Sequence, residues 1–314
     1  MISCVMCTYN GEKYIAQQLT SIKEQTVSVD ELIIYDDIST DGTLEQIRGW
    51  INDNDVSFKI KIIQNVNRYG ACKNFERALK ESKGDYIFFS DQDDVWMRDK
   101  IEISLKKIKE SEVVNGRLRP CLVHTDLYVT DEDLNIMAYS FLKSQGLKHV
   151  DEKNKQIKTL LVQNFVTGCT VVINKALKEL ATPFPDNIIM HDYWLALVAC
   201  LSGEIGFVDR PTIKYRQHSN NTVGAFEYMS LKTLKKMCNM SILLENIKKC
   251  IDQNYELRNY RDGCFKENKF LDEYCSIIDN KSYIKALLCG YNKQGYMRNA
   301  LFHILLSYYL LNNN

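Results

Sequence analysis

Apolar residues fall in two spacings along the first 115 positions, and the two spacings alternate. Ile2 to Cys7 is a compact apolar run that predicts a strand. Gly11 to Gln25 carries Tyr14, Ile15, Leu19 and Ile22 at the three-to-four spacing of a helix. The pattern then repeats: strands over Glu31–Tyr35, Lys59–Gln64 and Asp85–Ser90, helices over Asp41–Asn52, Tyr69–Ser82 and Lys100–Glu112. Ser39 and Thr40 are candidate caps for the second helix. This β-α order predicts a mixed, mainly parallel α/β sheet with helices on both faces. Right-handed crossovers bring all the strand C-termini to one edge, where such sheets bind ligands.

Beyond residue 115 the pattern continues less regularly. Strands are expected at Cys121–Val129, Gly168–Ile173, Ile205–Val208 and Thr212–Gln217, with helices at Lys155–Gln163, Asn174–Leu180 and Met190–Ser202. One mixed domain is expected over 1–225, with halves 1–115 and 116–225. A helical C-terminal extension follows over 226–314. That extension holds 13 Lys and Arg against 9 Asp and Glu, a net of +4. Its apolar, tyrosine-bearing segment Leu301–Leu311 reads as a helix docked on the core or on a second copy of the chain. The sharper alternative is a peripheral membrane contact, with Lys near anionic lipid and Tyr at the interface.

Composition narrows the function classes. Forty Lys and Arg balance forty Asp and Glu over 314 residues, which argues against a dedicated nucleic-acid binder and leaves local patches open. The eleven Cys are odd in number and lack a framework spacing, so reduced thiols in a cytoplasmic protein are expected. Cys4 and Cys7 would point to opposite faces of a strand, so they are not expected to share a metal. The start Met1-Ile2-Ser3-Cys4-Val5-Met6 has no positive segment or cleavage site of a signal peptide. No run approaches the roughly 18 apolar residues of a membrane span.

Four polar clusters fall at expected strand ends or at a helix start. They are Cys7-Thr8-Tyr9-Asn10-Gly11-Glu12, Asp36-Asp37-Ile38-Ser39-Thr40-Asp41-Gly42-Thr43, Ser90-Asp91-Gln92-Asp93-Asp94 and His191-Asp192-Tyr193-Trp194. Three carboxylates in four residues repel one another unless solvated or bound to a cation, and Asp-x-Asp suits Mg²⁺ or Mn²⁺ holding a diphosphate. An acidic turn or helix cap is the plainer reading of the same residues. Asp37 is read either as a turn residue or as a hydrogen-bond acceptor for a nucleoside. Asp192 caps a helix, takes a proton, or does both. Trp96 and Trp194 are divided between core packing and a sugar pocket.

Thr8-Tyr9-Asn10-Gly11, the Asp36–Thr43 run, Asn67-x-x-Gly70 and Asp91-Gln92-Asp93-Asp94 together resemble the family 2 glycosyltransferases of the GT-A fold. Gly168-Cys169, His191-Asp192-Tyr193-Trp194 and Tyr215-Arg216-Gln217-His218-Ser219-Asn220-Asn221 are similar to the rhamnosyltransferase-like branch. The resemblance implies an inverting, metal-dependent transferase using a dTDP- or UDP-sugar, with L-rhamnose from dTDP-rhamnose as one donor. Its acceptor would be a lipid-linked or glycan precursor of a surface polysaccharide. It implies that Thr8, Tyr9, Asn10, Glu12, Asp37, Asp91 and Arg216 hold the nucleotide, and that Asp93, Asp91 and His218 hold Mn²⁺ or Mg²⁺. Asp192 matches the general base. Two departures stand out: Cys7 replaces a hydroxyl residue, and His191-Asp192 replaces the commoner Glu-Asp. A non-catalytic nucleotide-binding assembly subunit of the same fold is the competing class. A nucleotidyltransferase would carry a Gly-rich basic loop that Thr8–Glu12 is not.

Overall fold

The computed structural model describes residues 1–116, 118–218, 239–265 and 267–312. Strands β1 (Ile2–Thr8), β2 (Glu31–Asp36), β3 (Lys59–Gln64) and β4 (Tyr86–Ser90) alternate with helices α1 (Ile15–Lys23), α2 (Thr43–Asp53) and α3 (Gly70–Glu81). Each strand begins and ends within about a residue of where the apolar runs place it. Strands β1 to β4 lie parallel in the order β3-β2-β1-β4, so their C-termini meet at one edge. The chain reverses its winding between β1 and β4, and a crevice opens there.

The second half adds β5 (Val95–Trp96), α4 (Lys100–Asn115), β6 (Cys121–Thr130) and β7 (Ile136–Ala138). It continues through α5 (Phe141–Ser144), α6 (Lys153–Leu160), β8 (Val172–Asn174), α7 (Lys175–Ala181), α8 (His191–Ser202) and β9 (Glu204–Arg216). The sheet extends as β4-β8-β6-β9-β5, with β8 antiparallel to both neighbours and β6 parallel to β9. Among the described residues four C-terminal helices follow: α9 (Met240–Gly263), α10 (Lys269–Asp279), α11 (Tyr283–Leu288) and α12 (Tyr296–Asn312). Asn239 and Asn268 cap α9 and α10 with side-chain oxygens that accept first-turn N–H groups. The expected boundary near 225 and residues Ser219–Asn221 lie outside the described residues.

Side-chain alternation divides the core into two layers. Cys4, Met6, Leu32, Ile34 and Phe88 face α1, α2 and α4 through Leu19, Ile22, Ile47 and Ile101. Val5, Ile33, Tyr35, Ile87 and Phe89 face the other way, toward Phe75, Leu160, Leu177 and Trp194. The second layer runs on without a break into the C-terminal helices through Ile251, Leu257, Leu271, Tyr274, Phe302 and Leu306. The expected separation of Cys4 and Cys7 holds, since Cys7 packs against this second layer. The ten described cysteines are all free.

Two expectations need correction. The strand expected over Gly168–Ile173 is a 3₁₀ turn at Gly168–Thr170 followed by the short β8. Thr170 N–H and Oγ1–H both donate to Thr167 O, at 2.9 and 2.6 Å, which closes the turn locally. The two strands expected at 205–208 and 212–217 are one, β9, carried across Asp209-Arg210-Pro211. Its register against β6 shifts beside Asp126, which accommodates the proline that a regular ladder would reject.

Candidate active site

Residues following β1, β2 and β4 meet the start of α8 around one cleft of about 720 Å³. Thr8, Tyr9, Asp37, Asp91 and Asp93 line it on one flank; Asn164 to Gly168, His191 and Asp192 line it on the other. Asp93 and Asp192, about a hundred positions apart in sequence, therefore share one cavity.

The first flank is held by short polar contacts. Thr8 Oγ1 donates to Asp36 Oδ2 at 2.9 Å, and Asp36 also accepts from Ser39 N at 2.9 Å. The Gln92 side chain clamps the Tyr9 peptide, accepting from Tyr9 N at 2.9 Å and donating to Tyr9 O at 3.0 Å. A side chain at Gly11 would come within 2.3 Å of Gln92 Oε1, so this clamp requires glycine there. The Arg68 guanidinium lies 3.8 Å from the Tyr9 ring centroid.

Asp37 is 3% exposed. It accepts from Asn65 Nδ2 at 3.0 Å and from Tyr69 N and Gly70 N at 2.8 Å. Gly70 N–H is free to point there because Gly70 adopts φ +76° at the head of α3. Burial alone would raise the Asp37 pKa, but the donors on Tyr69, Asn74, Gly70 and Asn65 outweigh it and hold the carboxyl below its usual range.

The carboxylate turn after β4 is strained by its own charge. Burial, then repulsion from Asp93 and Asp192, raises the Asp91 pKa. Burial, then Asp93 and Asp91, raises that of Asp94 well above normal. Asp94 is fully buried, and its Oδ2 has no hydrogen-bond partner. Asp93 Oδ2 lies 2.9 Å from His218 Nε2, and His218 stacks on Tyr14 at 4.9 Å.

On the opposite flank, Asp192 stands in the first turn of α8. Burial pushes its pKa up to about 6, against the pull of N–H groups on Tyr193 and Gly168 and of the Asn164 side chain. His191 is 5% exposed, and neither ring nitrogen has a hydrogen-bond partner. Burial lowers its pKa to about 3, so it is neutral, packed 4.0 Å from the Phe75 ring centroid and 5.6 Å from that of Phe89. A side chain at Gly168 would lie 2.8 Å from His191 Nε2, so glycine lets the loop close on α8.

The family model for "Glycosyl transferase family 2" matches residues 3–181, more than half of the chain and all of the first flank. The chain belongs to this glycosyltransferase family. It is 36% identical over 237 residues to a dTDP-rhamnosyl transferase, RfbG, of Shigella flexneri, covering 70% of this chain and 74% of that one. It is 26% identical to a UDP-Glc:alpha-D-GlcNAc-diphosphoundecaprenol beta-1,3-glucosyltransferase, WfgD, of Escherichia coli, covering 74% and 83% of the two chains. Among solved structures, S. aureus TarS 1-349 in complex with UDP-GlcNAc superposes with a TM-score of 0.52 at 17% identity, over 99% of this chain and 92% of that one. The mannosyltransferase PcManGT from Pyrobaculum calidifontis, with GDP-Man and Mn²⁺, gives 0.51 at 13% identity, covering 99% and 87%. These two likenesses show the GT-A fold.

Within the glycosyltransferase, not every residue expected at the nucleotide site reaches the cleft. Asn10, at φ +50°, accepts from Thr40 N at 2.8 Å, and Glu12 Oε2 accepts from Gly42 N at 2.9 Å. Both brace the 39–43 loop and are absent from the cavity wall. Arg216 is also outside the wall: its Nε donates to Asp93 O at 2.9 Å, its Nη1 to Glu132 O, and its Nη2 to Gln17 Oε1 at 2.6 Å. It shapes the carboxylate turn from beneath. Trp194 is fully buried and donates to Ala181 O at 2.9 Å, and Trp96 is 3% exposed, so both belong to the core. The cleft also contains residues the sequence did not single out: Arg68, Asn74, Phe75, Asn164 and Thr167; Gln92 lay inside a quoted motif but was given no role. Arg68 sits inside the Asn67-x-x-Gly70 motif, which was a usable signal.

The donor set suits a hard divalent cation. Asp91 and Asp93 both line the cleft, and the orphaned Asp94 Oδ2 lies in the same turn. Ligand atoms of Asp91, Asp94 and Cys169 also come within 4.8 Å of one another. Burial keeps the Cys169 thiol protonated, and sulfur is a poor match for Mg²⁺ or Mn²⁺, so the oxygens are the better ligands.

Proposed function

We propose that this glycosyltransferase moves a deoxyhexose, L-rhamnose from dTDP-rhamnose, onto a hydroxyl of a lipid-linked glycan precursor, with inversion. The observation that carries this reading is Asp192, a carboxylate with its pKa raised to about 6, in the same cavity as Asp37, Asp91 and Asp93. The rhamnosyl donor is supported by the 36% relative, and a lipid-diphosphate acceptor by the glucosyltransferase relative.

The acceptor hydroxyl is a weak nucleophile until a base takes its proton. Asp192 is ionised at neutral pH yet basic enough to do so, a contribution of roughly 10²–10⁴-fold. The acceptor oxygen bonds to the anomeric carbon as the bond from that carbon to the diphosphate oxygen breaks. The electron pair leaves with the nucleoside diphosphate, and the proton rests on Asp192. One base on the face opposite the leaving group gives inversion. Asp37 and Tyr9 orient the nucleoside, the first by accepting hydrogen bonds and the second by its ring. Asp91 and Asp93, steadied by His218, are the residues to hold a divalent cation, which when bound supplies positive charge at the departing diphosphate.

A face of the C-terminal helices supports an acceptor delivered from a membrane. Met297, Ile304, Tyr308 and Leu311 form one exposed stripe on α12, beside exposed Ile284, Leu287 and Leu288 of α11 and the exposed Lys285. No helix of the described residues is long and apolar enough to cross a membrane. An anionic bilayer surface fits this face, with the enzyme peripheral at the cytoplasmic side.

The test is a donor-hydrolysis and transfer screen over dTDP- and UDP-sugars with Mn²⁺ and Mg²⁺. The expected result is turnover of dTDP-rhamnose above UDP-hexoses and loss of turnover with EDTA. Preference for UDP-glucose, UDP-galactose or a UDP-N-acetylhexosamine would replace the donor. Nucleotide binding without turnover of any sugar would favour a non-catalytic assembly subunit.

A further inference from the structure

A second cavity, of about 390 Å³, lies between the segment 146–159 and the loop joining α11 to α12. Lys148, Lys155 and Lys293 line it with Thr159, Asn292 and Asn299, and no carboxylate is among its lining residues. Lys148 and Lys155 are exposed and bring positive charge to its rim, while the Lys293 ammonium lies over the Phe302 ring, 5.3 Å from its centroid; a basic lining without a carboxylate suits an anion. None of the three forms an ion pair within 4 Å among the described residues. Leu147 lines both this cavity and the catalytic cleft, so the two share a wall.

The hollow is built rather than incidental. Lys148 N donates to Gln294 Oε1 at 2.7 Å, and Gln294 Nε2 donates back to Lys148 O at 2.9 Å. Gln294 N donates to Gln163 Oε1 at 2.6 Å, and Arg298 Nη2 to Gln145 O at 2.7 Å. Asn299 Nδ2 donates to Asn292 Oδ1 at 3.1 Å and its Oδ1 accepts from Lys293 N at 2.9 Å. The loop turns at Gly290 and Gly295, both at positive φ. Just outside it the chain becomes apolar and exposed: Leu287 and Leu288 before, Tyr296 and Met297 after. A basic hollow rimmed by apolar side chains matches an amphiphile with a phosphorylated head.

We propose that this cavity is a phosphate subsite that receives the diphosphate of the lipid-linked acceptor while its sugar reaches across Leu147 to Asp192. The proposal rests on the acceptor class of the preceding section, and its first test is independent of transfer. With the nucleotide site of the full-length protein filled by dTDP or UDP, inorganic pyrophosphate binding is measured by calorimetry for the wild type and Lys148→Gln/Lys155→Gln. Both lysines are exposed, so the variant is expected to fold. The expected result is a wild-type binding event weakened about 10-fold or more in the variant, with Lys148→Arg/Lys155→Arg restoring it. Equal binding in wild type and variant, or none in the wild type, overturns the subsite.

In detergent, the variant's KM for a lipid-diphosphate acceptor is expected to rise about 10-fold or more. Donor hydrolysis and transfer to a phosphate-free glycoside should stay unchanged. An unchanged KM for the lipid acceptor also overturns the proposal. A loss confined to sedimentation with anionic vesicles lacking acceptor assigns the lysines to bilayer headgroups and overturns it too. Absence of transfer by the wild type, with pyrophosphate still bound through the lysines, counts against the proposed function and in favour of the subsite.

Discussion

Asp37 and Asp192 face the same cleft from opposite flanks, and their chemistry diverges. Burial acts on both. On the donor flank, backbone and amide N–H groups converge on Asp37 and hold its pKa low, so it stays charged and works as a fixed acceptor. On the acceptor flank, burial wins over the donors on Tyr193, Gly168 and Asn164, and Asp192 rises to about 6, where a carboxylate can take and release a proton. The same side chain becomes an anchor or a base according to whether the N–H groups aimed at it outweigh its burial.

The contrast is broken most severely at Asp192. Asp192→Asn should lower kcat by roughly 10²–10⁴-fold while leaving nucleotide affinity within about twofold. Normal turnover of that variant in a product assay would remove the assignment of the base. Asp93→Ala should cost about 10²-fold in transfer and abolish metal-dependent tightening of dTDP or UDP binding, as EDTA should in the wild type. Nucleotide binding indifferent to EDTA would remove the cation from the donor flank. Asp37→Ala should weaken nucleotide binding about 10-fold and leave kcat at saturating donor within about threefold, since it touches binding and not proton transfer.

Two smaller effects sharpen the comparison through pH. The rate at low acceptor should fall toward tenfold per unit as pH drops below about 6, because protonated Asp192 is no base. An acid whose pKa is raised on folding binds its proton more tightly when folded. Its contribution to stability therefore declines as pH rises from about 4 to about 6, and stays lost above that. Asp192→Asn removes this penalty, so its thermal midpoint at pH 7.5 should equal or exceed that of the wild type. A lower midpoint would show that Asp192 is needed for folding.

The donor flank was largely legible in the sequence because its signals are local. Strand-to-helix alternation, a glycine at the turn and a carboxylate at a strand end all fall within a few residues of Thr8, Asp37 and Asp91. The acceptor flank was read less well. Gly168 leaves room for His191, which a Cβ there would approach to 2.8 Å, and no local pattern records that contact. The Gln92 clamp on Tyr9 spans 83 positions, and the Arg216 contact with Asp93 spans 123. Such partners declare themselves only when the sheet has closed. The resemblance placed Arg216 at the nucleotide, yet its nitrogens are spent on the protein's own oxygens.

The unbroken apolar layer from the sheet through α8 into α12 bears on how such enzymes diversify. Phe302, Leu305, Leu306 and Leu310 are each under 5% exposed, and burying a side chain of this size stabilises by roughly 1.5–3 kcal/mol. Four of them approach the whole margin of about 5–15 kcal/mol that keeps a domain folded. A tail grafted from a relative must therefore bring a matching inner surface. Substitutions on the outward side of α11 and α12, where Ile284, Leu288, Ile304 and Leu311 are exposed, disturb that inner surface least.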